Sequence, residues 1–129
     1  MNQSQTRLST IGQIAVPVKD LNRAVAFDRD GLGLKFLFQA PPALAFFDCD
    51  GVRLLLDVPE DTEFRHPSSP LYFKVPDIQK AYADLKSRGV RFRKEPHVIA
   101  TMPPVTLWMA FFFDSEDNTH ALMSEVKDA

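Results

Sequence analysis

Apolar and polar residues alternate along several short stretches of the chain, as they do in a strand that is buried on one face. In residues 11–18, Ile14, Val16 and Val18 share one side. Residues 52–58 alternate in the same way. Other short apolar runs between turn residues predict further strands. These runs are residues 35–39, 44–48, 71–75, 90–96, 105–113 and 120–126.

Two segments show helical periodicity instead. The first helix is predicted to begin after Asp20, whose carboxylate can accept amide protons of the first turn, and to end at Gly33. The second is predicted to begin after Asp77 and to end at Gly89. Each helix has an inward stripe at spacings of three and four residues. The stripe residues are Leu21, Ala24, Val25, Asp28 and Leu32 in the first helix, and Ile78, Ala81, Tyr82 and Leu85 in the second.

Turn composition separates these elements. Asp50 and Gly51 suit a tight hairpin, and the sequence DSEDN at 114–118 predicts a turn before the last strand. Residues 59–69 lack periodicity and predict a linker, and residues 1–10 predict a loose lead-in. An irregular, proline-containing stretch is predicted between the strands 90–96 and 105–113.

The two halves of the chain repeat one another. VKDLNRAVAFDRDGLGLKF begins at Val18, and VPDIQKAYADLKSRGVRF begins at Val75. Both contain Asp, an aliphatic residue, a basic residue and Ala-x-Ala, and both end in Phe after Gly. The two copies begin 57 residues apart, at Val18 and Val75. This spacing relates one βαβββ unit to another and is longer than the short units of a solenoid. The repeat predicts an α+β fold in which two βαβββ modules form a curved mixed sheet with the helices on its outer face.

The composition is that of an ordinary soluble domain. The chain has 129 residues, of which 45% are hydrophobic and 25% charged, and a formal net charge of −2. This charge gives no electrostatic footprint for nucleic acid or an anionic membrane, and no apolar run approaches the ~20 residues of a membrane span. Cys49 is the only cysteine, so the chain forms no internal disulfide. We expect one cytoplasmic domain, residues 1–129, that binds neither nucleic acid nor membrane.

The order of these motifs resembles the vicinal oxygen chelate superfamily, the group of glyoxalases, bleomycin resistance proteins and extradiol dioxygenases. The resemblance rests on V-x-D-[LI]-x-[RK]-A in each repeat, on GLGLKF at 31–36 and on the DSEDN turn. It extends over about residues 11–126. It implies module one at about 11–58, module two at about 70–126, a homodimer, and a small-molecule site in the concave sheet.

Strand alternation separates residues that face the concave side from residues that face the helices. The strand 105–113 is apolar in both phases, so the residues alone leave its direction open. The resemblance implies that Met109, Phe111 and Phe113 face the concave side. The predicted ligand-binding residues are Gln13, Arg53, Leu55, Asp57, Tyr72, Lys74, Met109, Phe111 and Met123.

Metal-binding members of this superfamily place His, Glu or Gln at one position in each of four strands. The resemblance carries these positions to Gln13, Leu55, Pro70 and Ala121. Leu55, Pro70 and Ala121 have no donor atom in their side chains, whereas a divalent cation needs several converging nitrogen or oxygen ligands. We therefore predict no metal and no cofactor at the usual site.

Several polar residues admit both a functional and a structural interpretation. Asp28 replaces the tyrosine usual in the superfamily, and is either a general base or ligand anchor, or a carboxylate near solvent or beside a basic residue. Arg53 and Lys74 either bind an anion, or Arg53 forms a rim ion pair with Asp57. His97 is either an acid–base group or a surface loop residue.

Three functions fit these features. The first is a metal-free small-molecule binding protein of the bleomycin-resistance kind. The second is a glyoxalase-like lyase or isomerase, or a dioxygenase, with an atypical site. The third is a structural or regulatory subunit whose concave face is filled by its own side chains, for which the 11 phenylalanines are suitable. The sequence leaves the ligand open, and also whether modules pair within one chain or across a dimer.

Overall fold

The computed structural model describes residues 6–60 and 66–129, so the predicted lead-in and linker lie partly outside the described residues. The first module is a four-stranded sheet in the order β1-β4-β3-β2, with β1 parallel to β4 and the other pairs antiparallel. Its elements are β1 (Gln13–Pro17), α1 (Leu21–Ala26), β2 (Lys35–Ala40), β3 (Leu44–Cys49) and β4 (Val52–Asp57).

The second module repeats this topology. β5 is parallel to β9, β9 is antiparallel to β8, and β6 and β7 both pair with β8. β6 and β7 together therefore take the place that β2 has in the first module. The elements are β5 (Tyr72–Lys74), α2 (Ile78–Ser87), β6 (Arg91–Phe92), β7 (His97–Met102), β8 (Val105–Phe113) and β9 (Thr119–Lys127).

The predicted fold class is confirmed, since two βαβββ modules form mixed sheets that each carry a helix. Within residues 6–60 and 66–129, the strands divide into two sheets and do not form one continuous hydrogen-bonded sheet. Both helices begin as the repeat predicts. The Asp20 Oδ1 accepts from the Arg23 N–H at 3.0 Å, and the Asp77 Oδ1 accepts from the Lys80 N–H at 3.1 Å.

The first helix differs from its prediction in its second half. α1 ends at Ala26, and a π-helical turn follows over Phe27–Gly31. The Leu32 N–H donates to the Phe27 carbonyl at 3.0 Å, five residues back, which defines the wider turn. One residue is thus inserted into the helical period, and this changes the direction in which Phe27 and Leu32 project.

The segment 90–102 also differs from the sequence prediction. Of the strand predicted at 90–96, only Arg91–Phe92 is a strand, whereas the stretch predicted to be irregular contains β7. β7 pairs with Val105–Met109 of β8 through a ladder with a bulge between Val98 and Ala100. The bulge breaks the alternation of apolar and polar residues, so periodicity did not reveal this strand.

Each module has its own hydrophobic core between helix and sheet. The first core contains Ala24 and Val25 of α1 against buried residues of β1, β3 and β4. The second contains Ile78 and Leu85 of α2 against β8 and β9. Phe27 and Leu32, which belong to the first module, pack against the second core. We call this contact between the modules, formed by residues 27–32, the seam.

Burial shows which side chains of β8 face the second core and which face away from it. Ala110 and Phe112 are buried in the second core, and Trp108 packs against it. Met109, Phe111 and Phe113 therefore point to the opposite side of the sheet, as the resemblance implied. We call the side of each sheet opposite its helix the open face.

The buried and open faces should respond differently to the loss of an aromatic ring. Phe112 is fully buried, whereas Phe38 on the open face of the first sheet is 49% exposed. We expect Phe112→Ala to lower the free energy of unfolding by about 3–5 kcal/mol, since it leaves a cavity. Phe38→Ala is the control and should cost about 1 kcal/mol or less. Urea unfolding measures both, and equal losses would contradict the assignment of faces.

Candidate functional site

The first sheet places four predicted site residues on one surface. In the register of β1 and β4, Gln13 lies opposite Arg53, Ala15 opposite Leu55, and Pro17 opposite Asp57. The alternate residues Leu54 and Leu56 are buried in the core. Gln13, Arg53, Leu55 and Asp57 therefore share the open face, as alternation predicted.

Aromatic rings extend this open face across β3 and β2. Phe46 lies opposite Leu55 and Phe38 opposite Phe46, and the two rings have centroids 4.8 Å apart. The Arg53 guanidinium lies over the Phe46 ring, 5.5 Å from its centroid. The sequence-based alternative of an Arg53–Asp57 ion pair is wrong, because four residues along a strand separate the two side chains and Arg53 contacts Phe46 instead.

The second sheet brings together the other five predicted site residues. Tyr72 lies opposite Ala121, and Lys74 opposite Met123. On the other side of β9, Phe111 lies opposite Ala121 and Met109 opposite Met123. The small Ala121 is thus flanked by two aromatic side chains. The Lys74 Nζ is 3.7 Å from a Glu125 carboxylate oxygen.

His97 joins this surface, and sequence analysis did not place it there. It is the first residue of β7 and lies opposite Met109, and its ring centroid is 6.4 Å from that of Phe111. Its Nδ1 lies 3.0 Å from the Glu95 carbonyl oxygen. The prediction of a loop residue is wrong because β7 itself was missed.

A cleft between the modules lies apart from the predicted site residues. It has a volume of about 550 Å³ and is mainly apolar. It lies where the ends of β1 and β4 meet the turn before β9. The described residues around it include Val18, Lys19, Val58, His66 and Glu116.

The comparisons with known proteins agree with this topology. A family profile described as Glyoxalase/Bleomycin resistance protein/Dioxygenase superfamily matches residues 10–103, more than half of the chain. The chain belongs to this superfamily. No curated protein matches the sequence significantly.

Solved structures share the superfamily fold at low sequence identity. A superfamily member from Sphaerobacter thermophilus is 23% identical with a TM-score of 0.73, covering 92% of this chain and 98% of its own. A lactoylglutathione lyase from Agrobacterium tumefaciens is 22% identical with a TM-score of 0.72, covering 92% and 95%. TnmS3, an antibiotic binding protein from Streptomyces sp. CB03234, is 20% identical with a TM-score of 0.73, covering 94% and 99%. At these identities the likeness shows the fold.

Among the described residues, no helix is long and apolar enough to span a membrane.

The superfamily's metal positions do not fit a metal in this chain. Leu55 and Ala121 lie on the two open faces, and Pro70 precedes β5, so none of the three offers a donor side chain. Gln13 is the one potential ligand of the four. Within residues 6–60 and 66–129, no group of three or more His, Cys, Asp or Glu side chains is arranged to hold a metal ion.

A buried polar network fixes the turn between β8 and β9. The Asp114 carboxylate accepts from the Glu116 and Asn118 N–H groups, from Asn118 Nδ2 and from His120 Nε2, at 2.8–3.0 Å. The His120 Nδ1 accepts from the Leu71 N–H at 3.0 Å, so the ring is neutral with its proton on Nε2. Burial by itself would raise the pKa of Asp114, but these hydrogen bonds together lower it.

Asp28 lies close to this network and is mostly buried. No basic side chain within residues 6–60 and 66–129 pairs with it, which contradicts the sequence-based interpretation of a basic partner, although its carboxyl oxygens keep some contact with solvent. Burial, followed by the charge of Asp114, raises the pKa of Asp28 to about 7. The thiol of Cys49 is also close, and its pKa is raised by burial and then by Asp28 and Asp48.

The Asp114 network should stabilise the protein at neutral pH. A carboxylate whose pKa is lowered in the folded state contributes stability above its unfolded pKa and loses it as the pH falls through the folded value. We expect Asp114→Asn to lower the free energy of unfolding at pH 7 by about 2 kcal/mol, and by less at acid pH. Asp117→Asn in the same turn is the control, since Asp117 is exposed. Urea unfolding at several pH values tests this, and an equal effect of the two substitutions would refute it.

Proposed function

We propose that this superfamily member is a metal-free small-molecule binding protein whose site lies on the open faces of its two sheets. The observation that carries the proposal is the chemistry of these faces. Three of the four positions where the superfamily would need metal ligands are Leu55, Pro70 and Ala121, and the open faces around them present apolar side chains with a few cations such as Arg53 and Lys74. Binding would then come from apolar burial, with the polar groups orienting the ligand.

The second open face has the features of such a site. Met109, Phe111 and Met123 form a partly buried apolar floor, and Tyr72 and Lys74 stand beside it. Methionine side chains adapt to ligands of different shape. The Lys74 ammonium is exposed and free to meet an anionic group, because its contact with Glu125 is a long one. One structural neighbour with this fold, TnmS3, is an antibiotic binding protein, which supports the proposal of a small-molecule site.

We further propose that the protein acts in the cytoplasm as a homodimer and as a single functional domain. Tyr72 is 50% exposed and Phe38 is 49% exposed, which leaves large apolar side chains in contact with water. A second copy that faces these surfaces would cover them and enclose a ligand. A monomer at micromolar concentration in sedimentation analysis would refute the dimer.

An anionic aromatic probe tests the site directly. We expect 8-anilinonaphthalene-1-sulfonate to bind with a rise in fluorescence, because its rings match the apolar floor and its sulfonate matches Lys74. Lys74→Gln should raise the Kd about threefold, and Phe111→Ala should raise it about tenfold.

Two matched controls locate the bound probe. Lys80→Gln removes a similarly exposed lysine from α2, and should leave the Kd unchanged. Lys19→Gln changes the cleft between the modules. Binding that is lost in Lys19→Gln but unaffected by Lys74→Gln and Phe111→Ala would move the site to the cleft and overturn the proposal.

Metal removal separates binding from the enzyme alternatives. We expect dialysis against EDTA to leave the probe's Kd unchanged, because the open faces supply too few metal ligands. Elemental analysis should find less than stoichiometric zinc, nickel, manganese or iron. A stoichiometric metal that survives dialysis in buffer, together with loss of binding in EDTA, would favour a lyase or dioxygenase with an atypical site.

A further inference from the structure

Asp28 is a buried carboxyl group with no partner for its charge. Only 7% of the surface of Asp28 is exposed to solvent. Among the described residues its side chain makes no hydrogen bond or ion pair, and only the small solvent contact of its carboxyl oxygens hydrates it. An isolated carboxylate is costly in such a position, whereas a protonated carboxyl is much less so.

The groups that face Asp28 do not relieve this cost. Asp114, from the turn before β9, is the charged group that acts on it, and has the same sign. Cys49 of β3 is a neutral thiol whose pKa is raised. Both ring nitrogens of His120 are engaged, with Asp114 and with the Leu71 N–H, so this side chain does not pair with Asp28.

The nearby arginines of the seam are engaged elsewhere. The Arg88 Nη1 donates to the Gly31 carbonyl at 3.3 Å. The Arg23 guanidinium pairs with Glu116, which also accepts from the Lys19 N–H. Both arginines thus connect the two modules without compensating Asp28.

Asp28 also lies where the modules meet. It belongs to the π-helical turn, one residue after Phe27 and four before Leu32, and both of these pack against the second core. Its like-charged neighbour Asp114 belongs to the other module. A charge on Asp28 therefore acts across the seam and not within one module.

We propose that Asp28 makes the seam between the two modules pH-dependent, closed when this carboxyl holds a proton and loosened when the proton leaves. After deprotonation, the two mostly buried residues Asp28 and Asp114 carry charges of the same sign on opposite sides of the seam. Full hydration of the charged Asp28 carboxylate requires the turn 27–32 to move away from the second module. This pH-dependent contact lies on the helix side of the sheets, and it is independent of the proposed ligand site on the open faces.

The direction of the pH effect follows from the raised pKa of about 7 for Asp28, against an ordinary value of 3.8. Between these two values the folded protein holds a proton that the unfolded chain has lost. Stability therefore decreases as the pH rises from about 4 to 7, and the loss is complete above pH 7. This is the opposite direction to the effect of Asp114.

A titration of the unmodified protein tests the proposal without any substitution. The carboxyl carbon of Asp28, followed by ¹³C nuclear magnetic resonance, should titrate with a midpoint near pH 7. Between pH 4 and pH 7, the protection of the Leu32 and Leu34 amides against hydrogen exchange should fall about tenfold, after correction for the intrinsic pH dependence of exchange. A midpoint near pH 4, or unchanged protection at Leu32 and Leu34, would overturn the proposal.

A matched pair of substitutions provides a second measurement. The melting temperature of the unmodified protein should decrease between pH 5 and pH 8, and Asp28→Asn should reduce this decrease because the amide does not ionise. Asp30 lies two residues further on, is exposed and pairs with Arg29 at 2.9 Å. Asp30→Asn should keep the slope of the unmodified protein. The same slope in both variants would refute a role for Asp28.

Discussion

The seam between the two modules is the contact on which the arrangement of the whole molecule depends. Each module has its own sheet, helix and core, so neither needs the other to bury its helix. The π-helical turn directs Phe27 and Leu32 of the first module onto the core of the second, and Leu71 of the second module packs against the core of the first. Arg88 and the pair of Arg23 with Glu116 add polar links around this apolar contact. A straight α-helix would project these two apolar residues in other directions.

The same contact has an electrostatic cost that the rest of the fold tolerates. Bringing the turn 27–31 against the second module places Asp28 beside Asp114, and only one of these carboxylates is supported by hydrogen bonds. Strained or costly groups of this kind are found where a structure has two states or a function. Hydrogen bonds within the turn between β8 and β9 stabilise the charged form of Asp114, so the cost of bringing the two carboxyl groups close together falls on Asp28.

The open faces show how a repeated fold obtains two different surfaces. Both modules use the same strand order and the same capped helices. The first open face nevertheless carries stacked Phe38 and Phe46 with Arg53 above, while the second carries a floor rich in methionine beside Lys74. The helix sides are constrained by packing, whereas the open faces are not, and they are therefore able to differ in chemistry.

The sequence by itself determined the fold class, the helix caps at Asp20 and Asp77, and the faces of β1, β4, β5 and β9, because alternation and capping are local properties of the chain. Only the tertiary structure decided the phase of β8, which is apolar on both sides, and the existence of the bulged strand β7 with His97 on the open face. It also decided that Asp28 is buried beside Asp114 with no basic partner. That position depends on a π-helical turn and on a neighbour from the other module, and neither leaves a periodic signal in the sequence.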